Sequence, residues 1–268
     1  LSVLASRLCE LVSAGATVSL LPPGCGRFPR DGVVTGKVTL NLPRAAYRSA
    51  RDSGASIESE LDELVDLAVK GLLEKTRFLS RLHSGAEESR RALSGELENE
   101  AVGIVGLVGL NECVSYLAGS QLHESAAALD KGRELVARLG AKLEAEEGRL
   151  GLRLVLEESL NRRELLRLQE IDGRLYPEYV SALAEAGHLY TDGVRTREED
   201  PLKTIQADVD LLRNVVPRGG VVGKGMDLAG LGPRRFSEYL SETLALSTGE
   251  KQPAREIRKD SAITKLKK

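Results

Sequence analysis

The stretch "AVGIVGLVGLNECVSYLAG", residues 101–119, constrains the fold more than any other part of the chain. It begins as a continuous run of apolar residues and glycine with no polar alternation, the pattern of a strand buried on both faces. The run passes through Gly109 into a helical pattern, and Gly103, Gly106 and Gly109 permit close packing or bulging along it. Asn111 and Glu112 open the helix, so two polar side chains project at the carboxyl end of the strand, where α/β proteins build their sites. A structural alternative stands beside this reading, in which Asn111 caps the helix and Glu112 occupies its first turn.

The flanking sequence alternates strands with helices, which places the chain in the α/β class. In "TGKVTLNLPR", Val38, Leu40 and Leu42 alternate with Thr39 and Asn41, and Pro43 ends the ladder; this is a strand whose polar face carries an amide. Apolar residues at helical spacing predict helices over 1–15, 56–83 and 124–147, with acids crowding the first turn of the second. "GLRLVLEES" reads as a further strand and "NRRELLRLQEID" as a helix, followed by the tyrosine-bearing "LYPEYVSALAEAGHLYTDGV". Asp200 and Pro201 supply the N-cap and first position of a later helix. "GGVVGKG" is not a phosphate loop, because Arg218 and Gly225 stand where that pattern requires glycine and Ser or Thr.

Charge and cysteine usage narrow the function class. A formal charge of −2 gives no footprint for nucleic acid, and the locally basic end "REIRKDSAITKLKK" reads as a solvated tail. No apolar run is long enough to span a membrane, and no signal peptide opens the chain. Cys9, Cys25 and Cys113 form no CxxC pair, which argues against a disulfide framework and fits a reducing, cytoplasmic setting. His83, His123 and His188 match no metal spacing. The first residue is Leu rather than Met, which leaves open an unusual start codon or a missing N-terminal portion.

Cys25 differs from the other two cysteines. It lies on "PPGCGRF", a turn that Pro and Gly keep out of regular structure, whereas a structural cysteine normally packs within an element. Cys25 is therefore a candidate reactive thiol, and Cys9 and Cys113 read as small core residues.

"PPGCGRF", "GKVTLNLPRAAY", "VGLVGLNECVSYLAG" followed by "QLHES", and "GHLYTDGV" resemble, in the same order, segments of the large subunit of anaerobic (class III) ribonucleotide reductase. The resemblance covers about residues 20–222. It implies part of a ten-stranded α/β barrel over residues 1–222 with a finger loop at about 22–37, and a C-terminal extension with a basic tail over 223–268. It further implies that Cys25 is the site of a thiyl radical that takes the 3′ hydrogen of a ribonucleotide. Asn41 would be the amide that binds the substrate near the reacting sugar carbons, and Asn111 and Glu112 would line the pocket edge.

In that family a glycyl radical, a zinc site and formate serve the reaction, and no residues of this chain match the first two. A complementary reductase chain and a radical-SAM activase are the partners implied. "EESLNRRELLR" departs from the family's phosphate-binding turn, lacking its proline and its run of small residues. The expectation is that the chain does not turn over alone, and that the exposed edges of a partial barrel lead to self-association or a partner. A non-catalytic descendant of the fold, acting in binding or assembly, is the competing reading.

Overall fold

The computed structural model describes residues 33–52, 54–83, 101–158 and 162–185, with isolated positions from 190 to 241. Cys9, Cys25 with residues 22–32 of the finger loop, the helix over 1–15, the Asp200–Pro201 cap, the "GGVVGKG" turn and the basic tail lie outside the described residues, whereas residues 33–37, expected within that loop, are already strand.

Three parallel strands, β1 (Val33–Asn41), β2 (Ala101–Val108) and β3 (Arg153–Glu158), lie in the order β1-β2-β3. Their partners run from Val33 opposite Ala101 to Asn41 opposite Val108, and from Val102 opposite Arg153 to Leu107 opposite Glu158. All three therefore end on the same side. The described residues thus form an α/β structure with a small parallel sheet, and every residue of central β2 is buried, as its uninterrupted apolar run predicts. One irregularity interrupts the β1 register between Val34 and Gly36. There the Thr35 hydroxyl lies 2.8 Å from that of Thr76.

Helices α1 (Leu42–Arg51) and α2 (Ile57–His83) follow β1, α3 (Leu110–Ala118) and α4 (Ala126–Leu150) follow β2, and α5 (Arg162–Leu175) and α6 (Pro177–Glu185) follow β3. Leu42 begins α1 rather than continuing the β1 ladder. Pro43, which lacks an N–H, suits the first helical turn, and Asn41 caps the helix by accepting from the Arg44 N–H at 3.3 Å. Gly109 supports the second strand-to-helix junction at φ 71, a left-handed conformation that glycine adopts without a Cβ penalty. A Cβ on Gly109 would also lie 2.5 Å from Cγ of Pro43, so the two junctions pack directly on each other.

Leu61, Val65 and Leu72 of α2 and Leu135, Leu139 and Leu143 of α4 form one core with Leu40, Val105, Leu107, Leu154 and Leu156 of the sheet. Burying such side chains contributes roughly 1.5 to 3 kcal/mol each before chain entropy is counted. The same-direction packing of α2 and α4 is registered by ion pairs, Arg138 with Asp62 at 2.6 Å and Lys142 with Asp66 at 2.8 Å. Among the described residues no helix is long and apolar enough to cross a membrane.

Candidate functional site

Strand alternation sends Val38 and Leu40 toward α2, and Lys37, Thr39 and Asn41 to the opposite face. On that face Lys37 Nζ reaches Glu157 Oε1 at 3.1 Å across β2, and the Thr39 hydroxyl donates to Glu164 Oε2 at 3.0 Å. On this face β1 and β3 therefore contribute polar side chains, whereas the side toward α2 is largely aliphatic.

At the carboxyl ends of the strands the polar groups become buried. Asp172 on α5 has no exposed surface, and its carboxylate gathers three donors from separate parts of the chain. Asn41 Nδ2 donates to Oδ2 at 2.7 Å, Tyr190 Oη donates to Oδ2 at 2.9 Å, and Arg44 Nε donates to Oδ1 at 2.6 Å. One turn back on the same helix, Gln169 accepts the Tyr190 N–H at 2.8 Å. The Arg44 guanidinium balances the carboxylate charge, and its Nη2 is buried without a hydrogen-bond partner among the described residues. A buried carboxylate with several charge-assisted donors is held in one orientation, and it holds them in turn.

Asn41 is thus fixed from both ends. Its carbonyl oxygen caps α1, its amide nitrogen is bound by Asp172, and the side chain retains one N–H and one lone pair for a further partner.

Asn111 and Glu112 sit at the end of β2, buried within the protein. Asn111 is not the helix cap, because that position falls on Gly109, which bends the chain by its own backbone conformation. Asn111 instead accepts the Leu122 N–H at 3.2 Å and donates to Gln121 at 3.1 Å, tying α3 to the turn that precedes α4. Glu112 accepts the N–H of Thr191 at 2.9 Å and its hydroxyl at 2.8 Å, while the Gly109 N–H donates to the Thr191 carbonyl at 2.9 Å. Glu158, at the end of β3, accepts the Val194 N–H at 3.0 Å. Two carboxylates therefore hold Thr191 at the end of β2 and Val194 at the end of β3.

Above Asp172 stands an aromatic cluster. Tyr47 stacks on Tyr179 with centroids 5.0 Å apart, and Tyr116 meets both edge-on at 5.5 and 5.1 Å. Burial pushes the phenols of Tyr47 and Tyr190 well above their ordinary range. Burial likewise pushes the Cys113 thiol up to about 12, so it stays an inert core thiol. Among the described residues no group of His, Cys, Asp and Glu is arranged to hold a metal.

The sequence places Asn41, Asn111 and Glu112 on strand ends, and the structure brings them to one edge of the sheet. Asp172, Arg44 and Tyr190 escape sequence reasoning. Asp172 lies in a helical stretch full of exposed charges, and the "LYTDGV" turn that carries Tyr190 is the one local hint of it.

The profile of one family, anaerobic ribonucleoside-triphosphate reductase, matches residues 24–207. No curated protein sequence matches the chain. Among solved structures it resembles the anaerobic ribonucleotide reductase from Thermotoga maritima with citrate in the active site, at 17% identity and a TM-score of 0.56, over 78% of this chain and 41% of that one. The same enzyme with glycerol in the active site gives 17% identity and a TM-score of 0.55, over 75% and 33%. The chain thus spans about two fifths of these relatives or less.

Proposed function

The chain belongs to the anaerobic ribonucleoside-triphosphate reductase family, and we propose that it carries the thiyl-forming and sugar-binding part of such an enzyme, completed by a second chain bearing a glycyl radical. The sheet is then one section of a ten-stranded α/β barrel, with its polar face turned to the interior. The observation that carries this reading is the family match, which takes in both Cys25 and the strand end holding Asn41.

In the proposed reaction Cys25, as a thiyl radical, takes the 3′ hydrogen of a ribonucleotide. An S–H bond forms as the C–H bond breaks. The 2′ hydroxyl leaves as water, and formate supplies the reducing equivalents. Asn41 presents its spare N–H and lone pair to the sugar, pre-oriented by Asp172, so little ordering cost remains at the moment of binding. The unpartnered Nη2 of Arg44 offers a further donor beside it. Asn111 and Glu112 act from behind the pocket edge by holding Leu122 and Thr191 in place.

Supplying a glycyl-radical partner chain, its radical-SAM activase, formate and ribonucleotide should yield deoxyribonucleotide, and Cys25→Ser should abolish it. Product from the serine variant, or none from the wild-type mixture once the partner carries its radical, defeats the proposal.

A further inference from the structure

Helix α2 buries one face on the sheet and carries a second apolar line on the other. Leu67 and Phe78 on that outer face are 58% and 54% exposed, more than any other large hydrophobic side chain among the described residues. They stand three turns apart, about 16 Å along the helix, and therefore point the same way. A Cβ on Gly71, which lies between them, would meet nothing within 4 Å, so the surface dips there and is open from outside.

Single apolar side chains on a surface carry no message, but the charges beside these do. Glu63, Asp66, Lys70, Glu74, Arg77 and Arg81, spaced three or four residues apart, are exposed along one flank of the same face. Their signs run negative, negative, positive, negative, positive, positive. Read backwards, every sign is inverted. A two-fold axis across two antiparallel copies of the helix brings this flank against itself. Glu63 then faces Arg81, Asp66 faces Arg77 and Lys70 faces Glu74, and symmetry makes each pairing twice. The midpoint of every pair falls within one residue of Leu72, and the same register sets Leu67 of one copy against Phe78 of the other. The helix dipole does not explain the pattern, because its reach ends with the first and last turns and the alternation of Lys70 and Glu74 lies mid-helix. Pairs within the chain do not use these groups up: Glu63, Asp66, Glu74 and Arg77 remain 51%, 56%, 58% and 60% exposed beside Arg48, Lys142 and one another.

We propose that the outer face of α2 docks on the same face of a second copy of this chain, antiparallel and in the register centred on Leu72. Leu67 and Phe78 leave water in the contact, and the dip at Gly71 lets the two backbones approach. The ion pairs fix direction and register more than strength, since exposed pairs each contribute little. A single helix face makes a small interface, so the dimer is weak and reversible.

The dimer is independent of ribonucleotide chemistry, and its test uses neither nucleotide nor partner chain. Sedimentation equilibrium of the full chain over a concentration series should show monomer and dimer in exchange. Phe78→Glu, with folding checked by circular dichroism, should weaken association about tenfold or more, because it sets an unpaired charge against Leu67. Lys70→Glu should weaken it several-fold by facing Glu74 with an acid in both halves of the contact. Adding Glu74→Lys to that variant should restore wild-type association, an outcome peculiar to antiparallel pairing. Leu166→Glu, at an exposed apolar position on α5, should leave association unchanged. A chain that stays monomeric, a dimer that survives Phe78→Glu or is lost equally in Leu166→Glu, and a charge swap that restores nothing each overturn the proposal. Association through sheet edges would survive the α2 substitutions and so counts among those failures.

Discussion

Two buried regions flank the same sheet. Between the sheet and helices α2 and α4 lies an aliphatic core of leucine, valine and alanine, assembled from side chains at helical and strand spacing. At the strand ends, Asp172, Asn41, Arg44 and Tyr190 form a polar knot whose members meet through single, directed hydrogen bonds. The first region is redundant, because apolar contacts have no direction and neighbours share the loss of any one of them. The second is not, because removing one partner strands the others in a place water does not reach.

The contrast breaks most sharply at Asp172. Asp172→Ala should cost roughly 3 to 5 kcal/mol, read by chemical denaturation, since it leaves a guanidinium, an amide and a phenol without their acceptor. A cost near zero would mean that the knot is not a unit. In the aliphatic core, Leu139→Ala should cost about 2 to 4 kcal/mol, and a second truncation in contact with it should add less than its own single cost.

Alkaline pH sharpens the comparison further. The phenols of Tyr47 and Tyr190 ionise near 10.0 once unfolded but stay protonated well above that in the native state. The native state therefore binds more protons as pH passes upward through 10.0, and stability falls by about 1.4 kcal/mol per unit for each phenol. Tyr190→Phe should flatten that fall, and phenolate absorbance should rise with unfolding rather than before it. The smallest effect lies in the ion pairs between α2 and α4. Arg138→Met should change stability by less than about 1 kcal/mol, because Arg138 and Asp62 are both substantially exposed.

The same contrast governs what the sequence reveals. β2 is legible at once, because burial on both faces erases alternation over its whole length, and α2 is legible because one stripe of Leu and Val runs along it. The end of β1 is less so: the alternation extends through Leu42, yet Asn41 and Pro43 already serve the helix that follows. The knot is illegible, since Asn41 and Asp172 stand 131 residues apart and no local pattern links them. For Asn111 and Glu112 residue type and spacing locate them at a strand end, while their partners, the Leu122 and Thr191 amides, belong to turns that acquire meaning only in three dimensions.

The contact of Gly109 with the Pro43 ring reaches beyond geometry. Each bend occupies space the other needs, so the two strand ends are locked to one another, and a side chain as small as alanine at Gly109 would act as a wedge between them.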